Sequence, residues 1–247
     1  MTALGSEQLL QTWERAQAHG PIERALVLLS QARTHWDRDR LRHVPLGQRD
    51  RCVLELREQL VGTRVQGHLR CPACGELLEF SVDLAQLLFA ALPEHPSSPT
   101  VELAVRDYEV QARAPNSEDM ALASCRHDVE AARGLLLRRC VLSARREGVA
   151  VEPSELPDEV VHEIGEAILR EDPQAEVYLD LSCARCGAAV HSLFDAPAFV
   201  WGELDEMAET LLEEVEVLAR EYGWREVDIL AMTPTRRRRY MERCRDG

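Results

Sequence analysis

Apolar residues recur at spacings of three and four through the first quarter of the chain, a period typical of amphipathic helices. Residues 6–19 and 22–34 follow this pattern, and the Gly20-Pro21 pair separates them. A third helix is predicted over 45–60, with Gly62 as its end. We therefore predict that the N-terminal segment, residues 1–66, is helical.

The longest amphipathic pattern lies near the C-terminal end, over residues 198–222. Its apolar positions form one stripe: Leu204, Met207, Leu211, Val215, Leu218 and Tyr222. The opposite face is predicted to be acidic: Glu203, Asp205, Glu206, Glu209, Glu213 and Glu216. Gly223 is expected to end this helix, and shorter helices are expected after it, so residues 197–247 are predicted to be C-terminal helices.

The middle of the chain mixes helical periods with short alternating stretches. Strands are predicted at 101–106 and 108–112, helices at 84–92, 116–143 and 154–171, and a loop at 93–100. This part is interpreted as a mixed, mainly helical insertion over 85–175, and the N- and C-terminal helices are expected to pack near each other.

Two segments on either side of this insertion match each other without gaps. Residues 69–83 are LRCPACGELLEFSVD, and residues 181–195 are LSCARCGAAVHSLFD. In each, Gly follows the second cysteine, and Gly75 and Gly187 can take the positive φ that a tight turn requires. Each segment is therefore predicted to be a β-hairpin whose turn is the Cys-x-x-Cys-Gly motif.

The cysteines of these motifs predict a metal site. Two pairs with a two-residue gap, Cys71/Cys74 and Cys183/Cys186, are the spacing of a tetrahedral thiolate zinc centre. Four thiolates leave no open coordination position, so we expect one structural zinc ion per chain. Residues 67–84 plus 176–196 would then form a zinc ribbon with one small sheet built from both hairpins. The alternative is two independent cysteine pairs, either redox-active or incidental.

Composition and charge limit the expected location of the protein and the classes of partner it is expected to bind. The chain is 45% hydrophobic, which is sufficient for a core, and its formal net charge of −14 disfavours nucleic-acid binding. Its N-terminus does not resemble a signal peptide, and no run of about 18 apolar residues is present, so neither secretion nor a membrane is expected. We expect a protein of the bacterial cytoplasm, whose other cysteines pack singly: Cys52, Cys125, Cys140 and Cys244.

Candidate catalytic motifs are weak. The sequence His-Glu-Ile-Gly-Glu at 162–166 lacks the second histidine of a zinc protease, and a solvated helix face is the better interpretation. The four arginines at 236–239 are expected to pair with an acidic surface of this chain or of a partner. The sequence contains no recognisable enzyme signature, and we predict that the protein is not an enzyme.

The order of the pieces resembles a known family. The Cys-Pro-x-Cys-Gly and Cys-x-x-Cys-Gly motifs are followed by Phe194-Asp195, Phe199-Val200-Trp201, a long helix, Tyr222-Gly223-Trp224, Asp228-Ile229-Leu230 and Arg239-Tyr240. This pattern is similar to the baseplate-hub assembly chaperone family of contractile-tailed phages and phage-tail-like contractile injection systems, most clearly over residues 179–241. The zinc motifs would mark a subgroup. The resemblance implies a non-catalytic role in tail or baseplate assembly, with hub or tail-tube proteins as partners.

Three functional hypotheses follow, on an α+β fold that is mostly helical with a small zinc-ribbon-like β element. The first is an assembly factor or minor baseplate component, either retained in the particle or released. The second is a zinc-ribbon adaptor for nucleic acid or a transcription-associated protein, which is favoured by Arg70 and Arg185 and opposed by the acidic residues Glu76, Glu79 and Asp83. The third is a hydrolase with a site in the insertion.

Overall fold

The computed structural model describes residues 4–89 and 100–246. Ten α-helices lie in this part of the chain: α1 Ser6–Gln17, α2 Pro21–Ala32, α3 Arg38–His43, α4 Leu46–Val61, α5 Ser117–Ser124, α6 Val129–Cys140, α7 Asp158–Glu171, α8 Ala196–Tyr222, α9 Glu226–Leu230 and α10 Pro234–Asp246. Its eight strands are β1 Arg64–Arg70, β2 Leu77–Asp83, β3 Thr100–Val105, β4 Tyr108–Arg113, β5 Val141–Arg146, β6 Val149–Ala150, β7 Tyr178–Ser182 and β8 Ala189–Leu193. The predicted α+β class is confirmed.

The N-terminal helices and α8 share the largest core. Leucines at helical spacing on α2 and α4, such as Leu28, Leu29 and Leu54, are fully buried. From α8, Leu204 and Ala208 enter the same core. Helices α1, α2 and α4 all contact α8, so the two ends of the chain pack together as expected.

The acidic face predicted for α8 is only partly exposed, which corrects the sequence interpretation. Glu203 receives two hydrogen bonds from the guanidinium of Arg57, each 2.9 Å long, and Asp205 accepts one of 2.6 Å from the indole nitrogen of Trp13. The helix contacts α1, α2 and α4, so more than one stripe of its surface meets protein. Glu206, Glu209, Glu213 and Glu216 remain exposed.

The two predicted hairpins are present as β1–β2 and β7–β8. They form two separate two-stranded sheets, not the single small sheet that was expected. The hairpins meet through side chains instead: Cys71, Leu78, Cys183 and Val190 form a small buried cluster between them. Burial of that cluster, rather than strand pairing, brings the two distant segments together.

The insertion has a core of its own. Strands β3 to β6 form an antiparallel sheet in that order, and α7 covers one face of it through Val160 and Ile164. The helix predicted over 116–143 is interrupted between α5 and α6, and it was wrong at its end, because α6 stops at Cys140 and Val141 begins β5. Pairing with β4 buries Val141 and Ala144, and this tertiary contact outweighs the helical period.

The stretch after β2 also differs from the prediction. In place of a helix over 84–92, a single 3₁₀ turn spans Leu84–Gln86, capped by the carboxylate of Asp83. Residues 90–92 of that helix and 93–99 of the predicted loop lie outside the described residues, and residue 100 already belongs to β3.

Hydrogen bonds from the backbone of α4 join the insertion to the helical body at the start of this helix. Asp172, just after α7, accepts a hydrogen bond of 2.9 Å from the amide of Gly47, and Leu46 donates one of 3.1 Å to the carbonyl of Pro115. A β-carbon added at Gly47 would lie 2.6 Å from the backbone nitrogen of Ala175. Because Gly47 has no side chain, the start of α4 and the end of the insertion can approach each other this closely.

Candidate metal centre

The two Cys-x-x-Cys motifs adopt the same local structure. The amide of Cys71 donates to the carbonyl of Glu76 and that of Gly75 to Cys71, each at 2.8 Å. Cys183 and Gly187 repeat these two bonds at 2.9 Å in the second hairpin. Gly75 and Gly187 have φ values of +74° and +73°, which confirms that the turns need residues tolerant of the left-handed region.

These turns bring all four predicted cysteines together. The sulfur of Cys71 lies 3.7 Å from that of Cys186, and the sulfur of Cys74 lies 3.7 Å from that of Cys183. All four sulfur atoms are within 4.8 Å of one another. Each short distance joins one hairpin to the other, so the cluster spans residues more than a hundred positions apart in the chain.

The donor set fits a tetrahedral metal ion. Zinc–sulfur bonds of about 2.3 Å in a tetrahedron place neighbouring sulfurs roughly 3.8 Å apart. The two distances of 3.7 Å match this separation. The other sulfur–sulfur distances do not exceed 4.8 Å, so the remaining pairs would have to move only slightly closer around a bound ion. Thiolate ligands select zinc, copper(I) or iron–sulfur species among biological metals. Because four sulfurs complete the coordination, the site can hold an ion but has no open position for a substrate.

The electrostatics of the cluster favour a cation. Backbone N–H groups of Cys186 and then Arg185 lower the pKa of the Cys183 thiol to about 7. At Cys74, a backbone N–H from Glu76 acts in the same direction, but burial and the three neighbouring thiols together raise its pKa to about 12. One thiolate therefore suppresses ionisation of its neighbours. A divalent cation at the centre would remove that penalty by compensating all four charges.

Close packing under the hairpins depends on a glycine whose role the sequence analysis missed. Gly67 in β1 pairs with Phe80 in β2. A β-carbon at Gly67 would lie 2.7 Å from the ring of Phe80 and 3.2 Å from that of Phe199. A glycine inside an alternating strand pattern is the signal that could have revealed this close approach.

The other residues considered from the sequence do not join this centre. Cys52 and Cys140 are buried and Cys244 is half-buried. The expectation that Cys125 packs was wrong, because Cys125 is exposed and its thiol donates to the carbonyl of Ala121. His162 is an exposed residue of α7, as the solvated-face interpretation predicts. Of the arginine run, Arg237 is buried and pairs with Glu214 at 2.7 Å, so this run does contact an acidic group of the same chain.

The hairpin surface also pairs its own charges. Arg185, which favoured the nucleic-acid hypothesis, lies 2.9 Å from the carboxylate of Glu76 on the opposite hairpin. His191 lies 2.7 Å from Asp180 on the neighbouring strand. These contacts reduce the positive charge that the two hairpins could present to phosphate groups.

Comparison with known protein families matches residues 7–201 to the family described as T4 bacteriophage base plate protein. The chain belongs to this base plate family. No curated protein and no solved structure matches the chain. Of the helices in residues 4–89 and 100–246, none combines the length and apolar content needed to cross a bilayer.

The matched range differs from the region that carried the resemblance in the sequence. It includes α1, both hairpins and the whole described insertion, and it ends at Trp201 in the second turn of α8. The sequence resemblance was clearest over 179–241, most of which lies beyond the match. The base plate assignment therefore rests on the helical body, the cysteine hairpins and the insertion together.

Proposed function

We propose that the protein is a non-enzymatic assembly factor or minor structural component of a contractile phage-tail-like baseplate, related to the baseplate-hub assembly chaperones. The observation that supports this proposal most is the family match over residues 7–201. A closed four-sulfur site agrees with a structural role, because such sites contribute to folding and offer no coordination position for chemistry.

One structural zinc ion, bound by Cys71, Cys74, Cys183 and Cys186, is the second part of the proposal. Residues 67–84 and 176–196 form the proposed zinc ribbon, which joins the N-terminal segment 1–66 to the C-terminal helices 197–247. Residues 85–175 are a separate lobe inserted between the two hairpins. The zinc ion then fixes the positions from which α4 and α8 are presented to partners.

The proposed partners are proteins of the baseplate hub or tail tube, encountered in the bacterial cytoplasm. Binding to nucleic acid is disfavoured by the net charge of −14 and by the contact between Arg185 and Glu76. Both observations weigh against the alternative of an adaptor for nucleic acid or a transcription-associated protein.

Co-purification tests the proposal. The tagged full-length chain is co-expressed with the hub, tube and sheath proteins of the contractile tail from the same source, and complexes are isolated at physiological salt. We expect a stable complex with at least one hub or tube protein for the wild type and for Cys125→Ser. The double variant Cys71→Ser/Cys183→Ser should lose it. Failure of the wild type to retain any of these proteins would contradict the baseplate role.

A further inference from the structure

Three aromatic side chains cluster where α10 packs against the end of α8. The rings of Tyr222 and Trp224 stack with centroids 4.4 Å apart, and Tyr240 meets these two rings edge-on at 5.6 and 4.8 Å. Tyr222 is 38% exposed, and the other two rings are half-buried. This aromatic surface lies beyond residues 7–201, so the family match does not account for it.

Two arginines of α10 lie over the ring of Tyr240. The central carbons of the Arg236 and Arg243 guanidinium groups are each 5.8 Å from the ring centroid, and both residues are exposed. A guanidinium over an aromatic face keeps its N–H donors free at its edges. Because this contact restricts the side chain, less conformational entropy is lost when those donors pair with a carboxylate. The two groups therefore present oriented donors to an anion.

The spacing of the two arginines defines the segment that fits them. Arg236 and Arg243 are seven positions apart on α10, which is two turns of the helix or about 10.5 Å along its axis. A helix with two acidic residues at the same spacing would place one carboxylate at each guanidinium. An apolar side chain midway between those acids would then face the aromatic rings.

The neighbouring acidic groups do not compensate these two arginines. Among the described residues, no carboxylate lies within 4.0 Å of Arg236 or Arg243. The nearby carboxylates have partners of their own: Glu214 pairs with Arg237, Glu242 with Arg239, Asp228 with Arg225, and Glu221 with Arg220. Glu226 forms no ion pair within the described part of the chain, and neither does Arg238, so these two charges offset each other. Arg236 and Arg243 remain available to an anion.

The charge of this end of the chain is opposite to that of the rest. Residues 220–247 carry eight arginines and five acidic residues, whereas the whole chain has a net charge of −14. Glu213, an exposed glutamate of α8 without an ion pair among the described residues, precedes Tyr222 by nine positions, or about 14 Å of helix. This exceeds the Debye length of about 8 Å at physiological salt. A short acidic segment is therefore attracted here, whereas a long polyanion such as nucleic acid would also meet the acidic remainder of the surface.

We propose that this surface binds an acidic helical segment of a partner protein. The surface, called here the aromatic–arginine face, consists of Tyr222, Trp224, Arg236, Tyr240 and Arg243. Two carboxylates of the segment pair with the two arginines, and an apolar side chain between them packs on the aromatic rings. The inference rests on the proposed function for the statement that the occupant is a protein, because the family is one of base plate proteins.

Fluorescence anisotropy tests the face on the whole chain. The probe is a fluorescein-labelled, alanine-based helical peptide with two glutamates seven positions apart and one phenylalanine midway between them. We expect a dissociation constant on the order of 0.1 mM at physiological salt. The same peptide with glutamines in place of the glutamates should bind about tenfold more weakly, because it cannot accept charge-assisted hydrogen bonds.

Three double variants separate recognition from net charge. Arg236→Gln/Arg243→Gln should lose the preference for the glutamate peptide. Arg138→Gln/Arg145→Gln removes two exposed arginines of the insertion and changes the net charge equally, so it should bind like the wild type. Arg236→Lys/Arg243→Lys keeps the charge but loses the planar donors over the ring, and should bind at least about threefold more weakly. Circular dichroism and thermal unfolding verify that each variant folds.

Equal binding of the two peptides to the wild type, or a glutamate preference that survives Arg236→Gln/Arg243→Gln, would overturn the proposal. A lysine variant that binds as tightly as the wild type would also do so, because general attraction would then explain the binding. Tighter binding of a labelled oligothymidylate with equal charge would assign the face to nucleic acid instead. Co-purification with hub or tube proteins is scored independently, so a failed titration beside an intact complex rejects this face alone and leaves the baseplate role standing.

Discussion

Asp50, whose side chain is 13% exposed, lies where α4 meets the end of the insertion and the start of α8. Burial raises the pKa of its carboxyl to about 6, against the opposing effect of Arg49 at 2.6 Å, and the nearby charges of Asp195 and Asp172 raise it further. The first of these neighbours begins α8 and the second ends the insertion. Three carboxyl groups from different parts of the chain therefore converge beside one arginine.

This arrangement makes a pH-dependent prediction for Asp50→Asn. The folded-state pKa lies above the ordinary 3.8, so the folded state binds the proton more tightly between pH 3.8 and about 6. The wild type should gain up to about 3 kcal/mol of unfolding free energy, relative to the variant, as pH falls from 7.5 to 4. Denaturant unfolding of both proteins at several pH values measures the difference. A difference in unfolding free energy between the two proteins that stays constant across this range would mean that folding does not raise the pKa of Asp50.

At the scale of elements, contact between α4 and the end of the insertion depends on the missing side chain of Gly47. We predict that Gly47→Ala destabilises the protein by about 1–3 kcal/mol, because the new methyl group overlaps the carboxylate of Asp172 and the backbone of Ala175. Gly165→Ala is the matched control: Gly165 lies inside α7 with nothing within 4 Å of its added β-carbon.

The control should stabilise the protein by about 1 kcal/mol through helix propensity. Thermal and denaturant unfolding of the two variants under identical conditions compare these effects. Two stabilising substitutions would show that the junction at Gly47 is looser than its contacts indicate.

Short sequence patterns predict a helix or a strand well when the element buries only one of its faces. The apolar period identified α1, α2, α4 and α8, and Gly62 and Gly223 end two of these helices with φ values of +87° and +68°. The repeated Cys-x-x-Cys-Gly motif predicted both hairpins and the four cysteines that now lie together. Each of these signals is contained in a short stretch of sequence.

Features that depend on distant partners escaped prediction. Val141 begins a strand because β4 is beside it, and Glu203 faces inward because Arg57 is buried opposite. The aromatic cluster of Tyr222, Trp224 and Tyr240 is built from α8, α10 and the turn after α8, so no single periodicity indicates it. The two hairpins form separate sheets because they meet through the cysteine cluster and not through strand pairing. The two matching motifs carry no information about that packing.

At the scale of the whole molecule, the cysteine cluster joins segments on either side of the insertion. β1–β2 continues from the N-terminal helices, and β7–β8 leads directly into α8. The unfolded chain does not hold the four sulfurs together, so the binding energy of an ion at this site would be added to the free energy of folding. The contact between the two hairpins would depend on this ion, whereas α4 and α8 also pack directly through the apolar core.

The most direct test of this account is the metal content of protein purified without added metal, measured by inductively coupled plasma mass spectrometry. We predict about one zinc ion per chain for the wild type and for Cys125→Ser, whose cysteine lies outside the cluster. Cys71→Ser/Cys183→Ser should contain none and should unfold at a lower temperature. A wild-type protein that folds with no bound metal, and is as stable as the double variant, would contradict the zinc clamp.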